Sequence, residues 1–391
     1  MKKILALLIS SIFIVSATAG CDTNDVSEKS DTITNETDHN TFAQETSVSK
    51  FKNTISAGWG ATAAIKEDGS LWTWGSAYRG KLGNGMTEGN YFPEEIMDGV
   101  TVVSFGQSHG AAVKEDGSLW LWGDDYDGEL GNGEEGDSAV PIKIMDDVVD
   151  VSLNEWRSAA IKEDGSLWIW GGGRIGNGTE EGSTIPIKIM DDVADVSMGS
   201  GFTAAIKEDG SLWVWGSFDY KFFGIPKESS TVPVKIMDDV VAICTKGYNA
   251  AVIKKDNSLW TWGSNLHGQL GNGTWEKSKE PIKIMDDIVK VELGPEGHAA
   301  AIKEDGSLWM WGKNSYGKLG DGTYDSSSIP IKIMDDVVDV SLGFDHTVAI
   351  KEDGSLWGWG DNTSGALGFA IAELQASEVP LKIMDNVLFS K

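Results

Sequence analysis

Hydrophobic and polar positions repeat along residues 51–391 in units of 45 to 49 residues. Each unit holds four short segments in which apolar and polar side chains alternate, the period that sets one face of a β-strand against a core. Val-Val-Asp-Val-Ser at 148–152 is one such segment. No segment has the 3.6-residue period of an amphipathic helix, so the pattern predicts four strands per unit and excludes helical repeats.

The most regular segment is the string Ser-Leu-Trp-x-Trp-Gly. Period two places both of its tryptophans on one face of the third strand, and the Asp-Gly or Asp-Asn pair before it predicts a tight hairpin turn. Four strands at a period near 45 residues are typical of a β-propeller blade. The seven copies lie at residues 70–75, 118–123, 166–171, 211–216, 258–263, 307–312 and 355–360.

Two strings, Asp-Gly-Ser-Leu-Trp-x-Trp-Gly and Gly-x-Leu-Gly-Asn-Gly, resemble the RCC1 (regulator of chromosome condensation) repeat family, whose members form seven-bladed propellers. The resemblance covers residues 51–391 and implies an all-β, seven-bladed β-propeller. The glycine loop is shortened in the third unit at 174–178, replaced in the fourth at 222–225 and broken in the seventh. Segments 51–56 and 386–391 both look like the opening of a unit, which leaves open which terminus closes the ring.

Residues 1–20 have the order of an export signal: a basic start, an apolar stretch too short to span a membrane, and small residues. The following string Thr-Ala-Gly-Cys at 18–21 resembles the lipobox of bacterial lipoproteins, although Thr18 stands where that family usually has Leu. The resemblance implies that Cys21 becomes the N-terminus and carries acyl chains such as palmitate. The alternative is an ordinary secretory signal. Residues 21–50 are polar and acidic, which predicts a disordered tether about 30 Å long.

Charge and cysteine content exclude several classes of protein. Lys and Arg number 32 against 60 Asp and Glu, a formal net charge of −28, whereas binding to nucleic acid needs a cationic surface. Anionic lipid is equally disfavoured, so we expect contact with the membrane through the lipid anchor only. The two cysteines, Cys21 and Cys244, cannot form a disulfide framework or a Cys-rich zinc site.

The 14 tryptophans of the repeated string are interpreted as packing between blades, because the same residue is required in every unit. On this basis Trp309→Ala is expected to cost about 3–5 kcal/mol, as for emptying an aromatic core site. Trp59, Trp156 and Trp275 lie outside the pattern, in loops. These three are the candidate contact residues for a partner.

Candidate chemistry is sparse elsewhere. His109, His298 and His346 occupy equivalent places before the second strand, without a carboxylate or Cys at ligand spacing, so we interpret them as hydrogen-bonded structural residues. The acidic run 124–128 resembles a calcium loop, but Gly123 stands where the first ligand is required. The glycines of 171–176 match a dinucleotide motif without the helix it needs. The sequence predicts no catalytic residues, cofactor or metal.

Strand parity predicts two unlike faces. With four antiparallel strands per unit, the Glu-Asp-Gly turns and the Met-Asp-Asp links between units emerge on the same side. Together they carry 25 carboxylates, 13 in the turns and 12 in the links. One interpretation is a solvated face that keeps the protein soluble; the other is attraction of basic partners or divalent cations. The opposite face, with longer and more variable loops, is then the specific contact surface.

These observations predict a monomeric, non-catalytic scaffold that binds a protein partner, and the acidic charge favours a basic one. The signal and lipobox place it at the outer face of a bacterial cell membrane, at the cell surface or in the periplasm. Two alternatives remain. Eukaryotic members of the RCC1 family act as guanine-nucleotide-exchange factors, which by resemblance allows a similar activity, and the exceptional tryptophans allow binding of extracellular carbohydrate.

Overall fold

A computed structural model describes residues 53–217, 229–370 and 372–389. Within these ranges the chain forms seven four-stranded antiparallel sheets, each built from four consecutive strands, which we call A to D. Strands A of neighbouring sheets contact one another around a central axis, and strands D lie outermost. The predicted seven-bladed, all-β propeller is therefore confirmed. The predictions for segments 1–20, 21–50 and 222–225, including Cys21, lie outside the described residues.

The A strands are β1 (Ile55–Ala57), β5 (Val100–Phe105), β9 (Val148–Leu153), β13 (Val193–Met198), β17 (Val240–Lys246), β21 (Ile288–Leu293) and β25 (Val337–Leu342). The B strands are β2 (Ala61–Ile65), β6 (His109–Lys114), β10 (Arg157–Lys162), β14 (Phe202–Lys207), β18 (Asn249–Lys254), β22 (His298–Lys303) and β26 (His346–Lys351). The C strands are β3 (Leu71–Gly75), β7 (Leu119–Gly123), β11 (Leu167–Gly171), β15 (Leu212–Ser217), β19 (Leu259–Gly263), β23 (Leu308–Gly312) and β27 (Leu356–Asp361). The D strands are β4 (Asn90–Met97), β8 (Ser138–Met145), β12 (Ser183–Met190), β16 (Ser229–Met237), β20 (Ser278–Met285), β24 (Ser327–Met334) and β28 (Ala376–Met384).

Helical structure in the described ranges is limited to single turns. Two 3-10 turns, Tyr78–Gly80 and Ser315–Gly317, occupy equivalent places in the C–D loops of blades 1 and 6. A further turn forms where the backbone N–H groups of Glu373 and Leu374 donate to the carbonyl of Ala370 (2.9 and 3.1 Å). None of the described residues is in an α-helix, as expected from the absence of a 3.6-residue period.

The core lies between blades rather than within them. Trp74 of β3 packs against Ile350 of blade 7, whereas Leu71 of the same strand packs towards Trp122 of blade 2. Each blade therefore buries one face against each neighbour, which is why a single repeat cannot fold alone. The seven interfaces together make up the hydrophobic core of the propeller.

The two tryptophans of each repeated string have different roles. Both face the preceding blade, as period two predicts, but only the second is fully buried: Trp311 is completely buried, whereas Trp309 is partly exposed. The Trp311 indole N–H donates to the carbonyl of Gln269 in the preceding blade (3.0 Å), and that of Trp309 donates to the hydroxyl of Ser307 in its own blade (2.9 Å). Trp309 was therefore wrongly expected to be a core site; the core site is Trp311.

Both chain ends close the ring. Val387 forms a β-bridge with Lys66 at the end of blade 1, and the Leu388 N–H donates to the carbonyl of Ile65 (2.8 Å). The rest of β2 pairs with β1 from the N-terminal segment. The first strand of blade 1 is thus composite, with its beginning supplied by the C-terminal tail and its remainder by the N-terminal segment. The sequence left open which terminus closes the ring, and in the structure both contribute.

Candidate functional site

The connections of the propeller emerge on two faces. In blade 3 the N–H of Glu163, in the B–C turn, donates to the carbonyl of Asp147, in the link from blade 2 (2.8 Å). The N–H of Val148 likewise donates to the carbonyl of Gly117, in the B–C turn of blade 2 (2.9 Å). Turns and links therefore share one end, which we call the acidic face, and the A–B and C–D loops share the other, the loop face. The parity prediction is confirmed.

Carboxylates on the acidic face have local structural partners. Asp164 accepts hydrogen bonds from the N–H and hydroxyl of Ser166 (2.9 and 2.5 Å), and these bonds lower the pKa of Asp164. The same contact recurs in all seven turns, at Asp68, Asp116, Asp164, Asp209, Asp256, Asp305 and Asp353. In the links, Lys143 pairs with Asp146 at 2.7 Å, and ten further link aspartates also pair with lysine. This pattern favours the interpretation of a solvated face.

A pocket lies at the centre of the loop face. The seven A–B connections surround a cavity of about 280 Å³, to which every blade contributes. Three aromatic residues form part of its wall: the ring of Trp59 stacks on that of Phe344, with 5.2 Å between centroids, and Phe105 also lines the cavity. Lys246 and Glu296 bring charge to the rim. A cavity of this size, at or below the lower limit for drug-sized ligands, suits one or two protruding side chains.

Two buried lysines hold the rim of the pocket from beneath. Lys81 Nζ donates to the backbone carbonyls of Trp59 and Gln107, which joins the A–B loops of blades 1 and 2. Lys318 Nζ donates to the carbonyl of Phe344 at 3.0 Å and to the neighbouring carboxylate. Because burial disfavours the ammonium form, the pKa of Lys81 falls to about 7. The rim is therefore held by contacts from the interior of the propeller.

The loop face carries the three tryptophans that the sequence singled out. Trp59 (45% exposed) lines the pocket, and Trp156 (44% exposed) follows two lining residues in the A–B loop of blade 3. Trp275 (50% exposed) lies in the C–D loop of blade 5 and does not line the pocket. The structure thus brings all three to one face and two of them to its centre.

Sequence reasoning missed the tyrosines of the same face. All are exposed and all lie in A–B or C–D loops, so their position in the repeat was available as a signal. They are Tyr78, Tyr126, Tyr248, Tyr316 and Tyr324. No turn or link of the acidic face within the described ranges contributes a large exposed hydrophobic side chain.

Two of the three repeat histidines bond as expected. The Ser158 hydroxyl donates to the carbonyl of Glu129 (2.7 Å) and so accepts from His109 Nε2 (3.0 Å). His346 makes the equivalent contact with Thr62 (3.0 Å). His298 is buried in the same place, but neither of its ring nitrogens has a hydrogen-bond partner among the described residues. The structural interpretation is confirmed for the first two and not for the third.

Other candidate chemistry is limited in the described part of the chain. The Cys244 thiol is buried, accepts the N–H of Leu293 at 3.2 Å and lies 3.8 Å from the Glu292 carboxylate, so burial raises its pKa and disfavours the nucleophilic thiolate. No group of three or more His, Cys, Asp or Glu there is arranged to hold a metal ion. None of its helices is long and apolar enough to cross a membrane.

Comparisons with known proteins give the same architecture. A family model described as the RCC1-like domain matches residues 16–296 and 99–389. Among solved structures, human WBSCR16 is similar with a TM-score of 0.69 and 23% identity, covering 77% of this chain and 86% of that chain. A comparison with curated proteins finds no match.

Two structures of the yeast protein Prp20 are also similar. Prp20p from Saccharomyces cerevisiae, described with its binding properties to Gsp1p and histones, gives a TM-score of 0.71 and 19% identity over 82% of this chain and 87% of that chain. Yeast RCC1 (Prp20) in complex with Kap60 gives a TM-score of 0.71 and 20% identity, covering 95% of this chain and 91% of that chain. At these identities the similarity shows the fold alone.

Proposed function

The chain belongs to the RCC1-like domain family, and from that premise we propose that it is a non-catalytic scaffold which binds a protein partner through its loop face. The observation that carries the proposal is the concentration of exposed aromatic side chains in the A–B and C–D loops around a central pocket. Trp and Tyr are the residues most enriched at the centres of protein interfaces. The acidic face has the opposite character, since most of its aspartates are engaged in local contacts and its described turns and links expose no large hydrophobic side chain.

A protein partner fits the pocket better than a sugar or a nucleotide. The cavity is small, lined in part by three aromatic residues and supported by Lys81 and Lys318 from within, which suits an anchoring side chain at the centre of a larger interface. The yeast neighbours are described with protein partners, namely Gsp1p, histones and Kap60, and we transfer only that class of partner. The net charge of −28 favours a partner with a basic surface.

We further propose export and lipid anchoring at Cys21, on the strength of the signal and lipobox. The chain enters the propeller at its acidic-face end. Thr54, just before β1, accepts a hydrogen bond from Ile65 at the acidic-face end of β2 (2.9 Å).

The anchor is tested with Cys21→Ala. The substituted protein is expected to appear in the medium or to remain unprocessed, and incorporation of a labelled fatty acid is expected to cease. A substituted protein that is still processed and still sediments with membranes would show that the lipobox assignment is wrong.

The binding role is tested by crosslinking on intact cells followed by purification of the chain. The wild type is expected to recover a protein, and Trp59→Ser/Trp156→Ser to lose most of it, because both indoles lie at the proposed interface. Glu163→Gln/Glu208→Gln on the acidic face serves as the matched control and is expected to retain it. Recovery of glycan instead, or equal recovery by both double variants, would contradict the proposal.

A further inference from the structure

The pocket at the centre of the loop face is lined by three charged residues, Glu155, Lys246 and Glu296. Two of them interact with a charge of opposite sign. Glu296 pairs with Lys313 at 2.6 Å. Burial raises the pKa of Glu292 in β21, and the charge of Lys246 is among those that oppose the rise, so Lys246 acts on a carboxylate of the propeller itself. Both charges are therefore balanced from within the chain.

Glu155 has no such balance. It is half-buried, and burial alone raises the pKa of its carboxyl, without the opposing influence of a cation. Arg157 is close in sequence, but its buried guanidinium donates to the carbonyl of Gly199 (3.3 Å), and burial lowers the pKa of Arg157 to about 10. Within the described ranges, no residue forms an ion pair or hydrogen bond with the Glu155 carboxylate. The pocket wall thus holds one uncompensated negative charge.

The loop that carries Glu155 is held by hydrogen bonds to both neighbouring blades. Asn154 Oδ1 accepts the N–H of Trp156 (3.0 Å), and Asn154 Nδ2 donates to the carbonyl of Gly199 in blade 4 (2.9 Å). On the other side, the N–H of Gln107 in blade 2 donates to the carbonyl of Asn154 (3.3 Å). The backbone around Glu155 is therefore ordered before any ligand binds, which reduces the entropy lost on binding.

The aromatic part of the wall provides a surface for an organic cation. The rings of Trp59 and Phe344 stack with an interplanar angle of 28°, and Trp59 remains 45% exposed. A cation within about 6 Å of the centre of an aromatic ring is attracted by the electrons of its face. An uncompensated carboxylate and exposed aromatic rings in one cavity favour a positively charged group over a neutral or an acidic one.

We infer that the pocket binds an arginine side chain of the protein partner, with its guanidinium paired to Glu155 and stacked on the aromatic wall. The inference rests on the proposed function, because it names the group that the partner inserts. Arginine is preferred to lysine, since a guanidinium is planar and weakly hydrated, stacks on aromatic rings and donates two hydrogen bonds to one carboxylate. Arginine is also among the residues that dominate binding at the centres of interfaces.

The experiment compares two probes that differ in charge and hardly in shape, N-acetyl-arginine amide and N-acetyl-citrulline amide. The purified full chain carries 5-fluorotryptophan, and the fluorine resonance of Trp59 is assigned with Trp59→Phe. The arginine probe is expected to shift this resonance with a dissociation constant on the order of 1 mM. The citrulline probe is expected to bind about tenfold more weakly, because it lacks the charge that pairs with Glu155.

Glu155→Gln is expected to lower the affinity for the arginine probe to that for the citrulline probe. Its thermal midpoint is expected to equal or exceed that of the wild type, because a neutral amide costs less to bury than an unpaired carboxylate. Glu163→Gln makes the same change on the acidic face of the same blade and is expected to bind both probes as the wild type does.

Equal binding of the two probes, or no saturable shift with the arginine probe, would overturn the inference. Selectivity for arginine that Glu155→Gln leaves unchanged would overturn it as well, because the charge would then be recognised elsewhere. Recovery of a partner by crosslinking in intact cells, without arginine selectivity here, would remove only the arginine anchor and leave the scaffold function standing. Arginine selectivity with no partner recovered from cells would instead contradict the protein partner.

Discussion

Side chains at two positions of neighbouring B strands vary together around the ring. If the first residue of strand B in one blade is His or Arg, the second residue of strand B in the next blade carries a hydroxyl. If that first residue is Ala, Phe or Asn, the second residue of strand B in the next blade is Gly or Ala. The hydroxyl-containing pairs are His109 with Ser158, Arg157 with Thr203, His298 with Thr347, and His346 with Thr62. The others are Ala61 with Gly110, Phe202 with Ala250, and Asn249 with Ala299.

The pairing predicts strong coupling between His109 and Ser158. Replacing Ser158 alone leaves His109 Nε2 buried without a partner, at about 1–3 kcal/mol of unfolding free energy, and replacing His109 alone leaves the Ser158 hydroxyl with only its bond to the Glu129 carbonyl (2.7 Å). The double variant His109→Phe/Ser158→Ala reproduces the natural pair Phe202 and Ala250, and is expected to cost less than the sum by about 0.5–3 kcal/mol. Urea unfolding of the four proteins measures the coupling. Additive effects would show that the two side chains act independently.

The same histidine predicts a dependence on pH. Burial lowers the pKa of His109 to about 3 in the folded protein, against about 6.5 unfolded. The unfolded chain therefore binds the extra proton between these values, so the contribution of His109 is fully present above pH 6.5 and is lost as the pH falls towards 3. The stability difference between wild type and the double variant is expected to shift in favour of the variant between pH 7 and 5. A difference that does not change with pH would contradict the buried neutral imidazole.

Tryptophans two residues apart provide a second matched pair. Trp311→Ala empties a fully buried site and removes an indole that bonds to the preceding blade, so a loss of about 3–5 kcal/mol is expected. Trp309→Ala removes a partly exposed ring that bonds within its own blade, and about 1–2 kcal/mol is expected. Chemical denaturation measures both. Equal losses would contradict the different roles of the two positions.

Among the elements, the composite first strand of blade 1 is the one that holds the ring closed. Val387 is completely buried in the interface between blades 7 and 1, together with Ile55 and Trp74. The contact joins residues more than 300 positions apart, so it forms only when the whole propeller has assembled. The closure therefore depends on a short C-terminal segment.

Val387→Asp is expected to destabilise the propeller by about 3–5 kcal/mol, because it places an unpaired charge in a buried interface. Limited proteolysis is expected to cut the variant first near its termini. Val379→Asp, at an exposed position of β28, is the matched control and is expected to have little effect. Similar stability of both variants would show that the C-terminal tail does not close the ring.

Elements with local signals were predictable from sequence. Four strands in each of seven units, and the two faces, were predicted from the Asp-Gly turns, the period-two segments and the sevenfold Trp-x-Trp string. Ring closure was not predictable, because segments 51–56 and 386–391 carry the same signal and only the tertiary contact of Val387 with Lys66 assigns them. The period-two pattern also cannot predict which of Trp309 and Trp311 is more buried, because the burial of each depends on the neighbouring blade.

At the scale of the whole molecule, the two faces differ in chemistry because the seven units share their residues on one face and differ from one another on the other. The turns and links of the acidic face repeat the same residues and bond among themselves. The loops of the opposite face vary, and they carry exposed residues such as Trp59, Trp156 and Tyr248 around a pocket that all seven blades build. The sequence identified three aromatic residues but not the pocket, because the seven A–B loops that form it are far apart in the chain.

The most direct test of the loop face as the binding surface is site-specific photocrosslinking in intact cells. A photoreactive amino acid replaces Tyr248 on the loop face or Glu208 on the acidic face, both of which are exposed. The probe at Tyr248 is expected to trap a protein in a discrete adduct that the probe at Glu208 does not form. Adducts from Glu208 alone, the same adducts from both positions, or none from Tyr248 would contradict the assignment of the loop face as the binding surface.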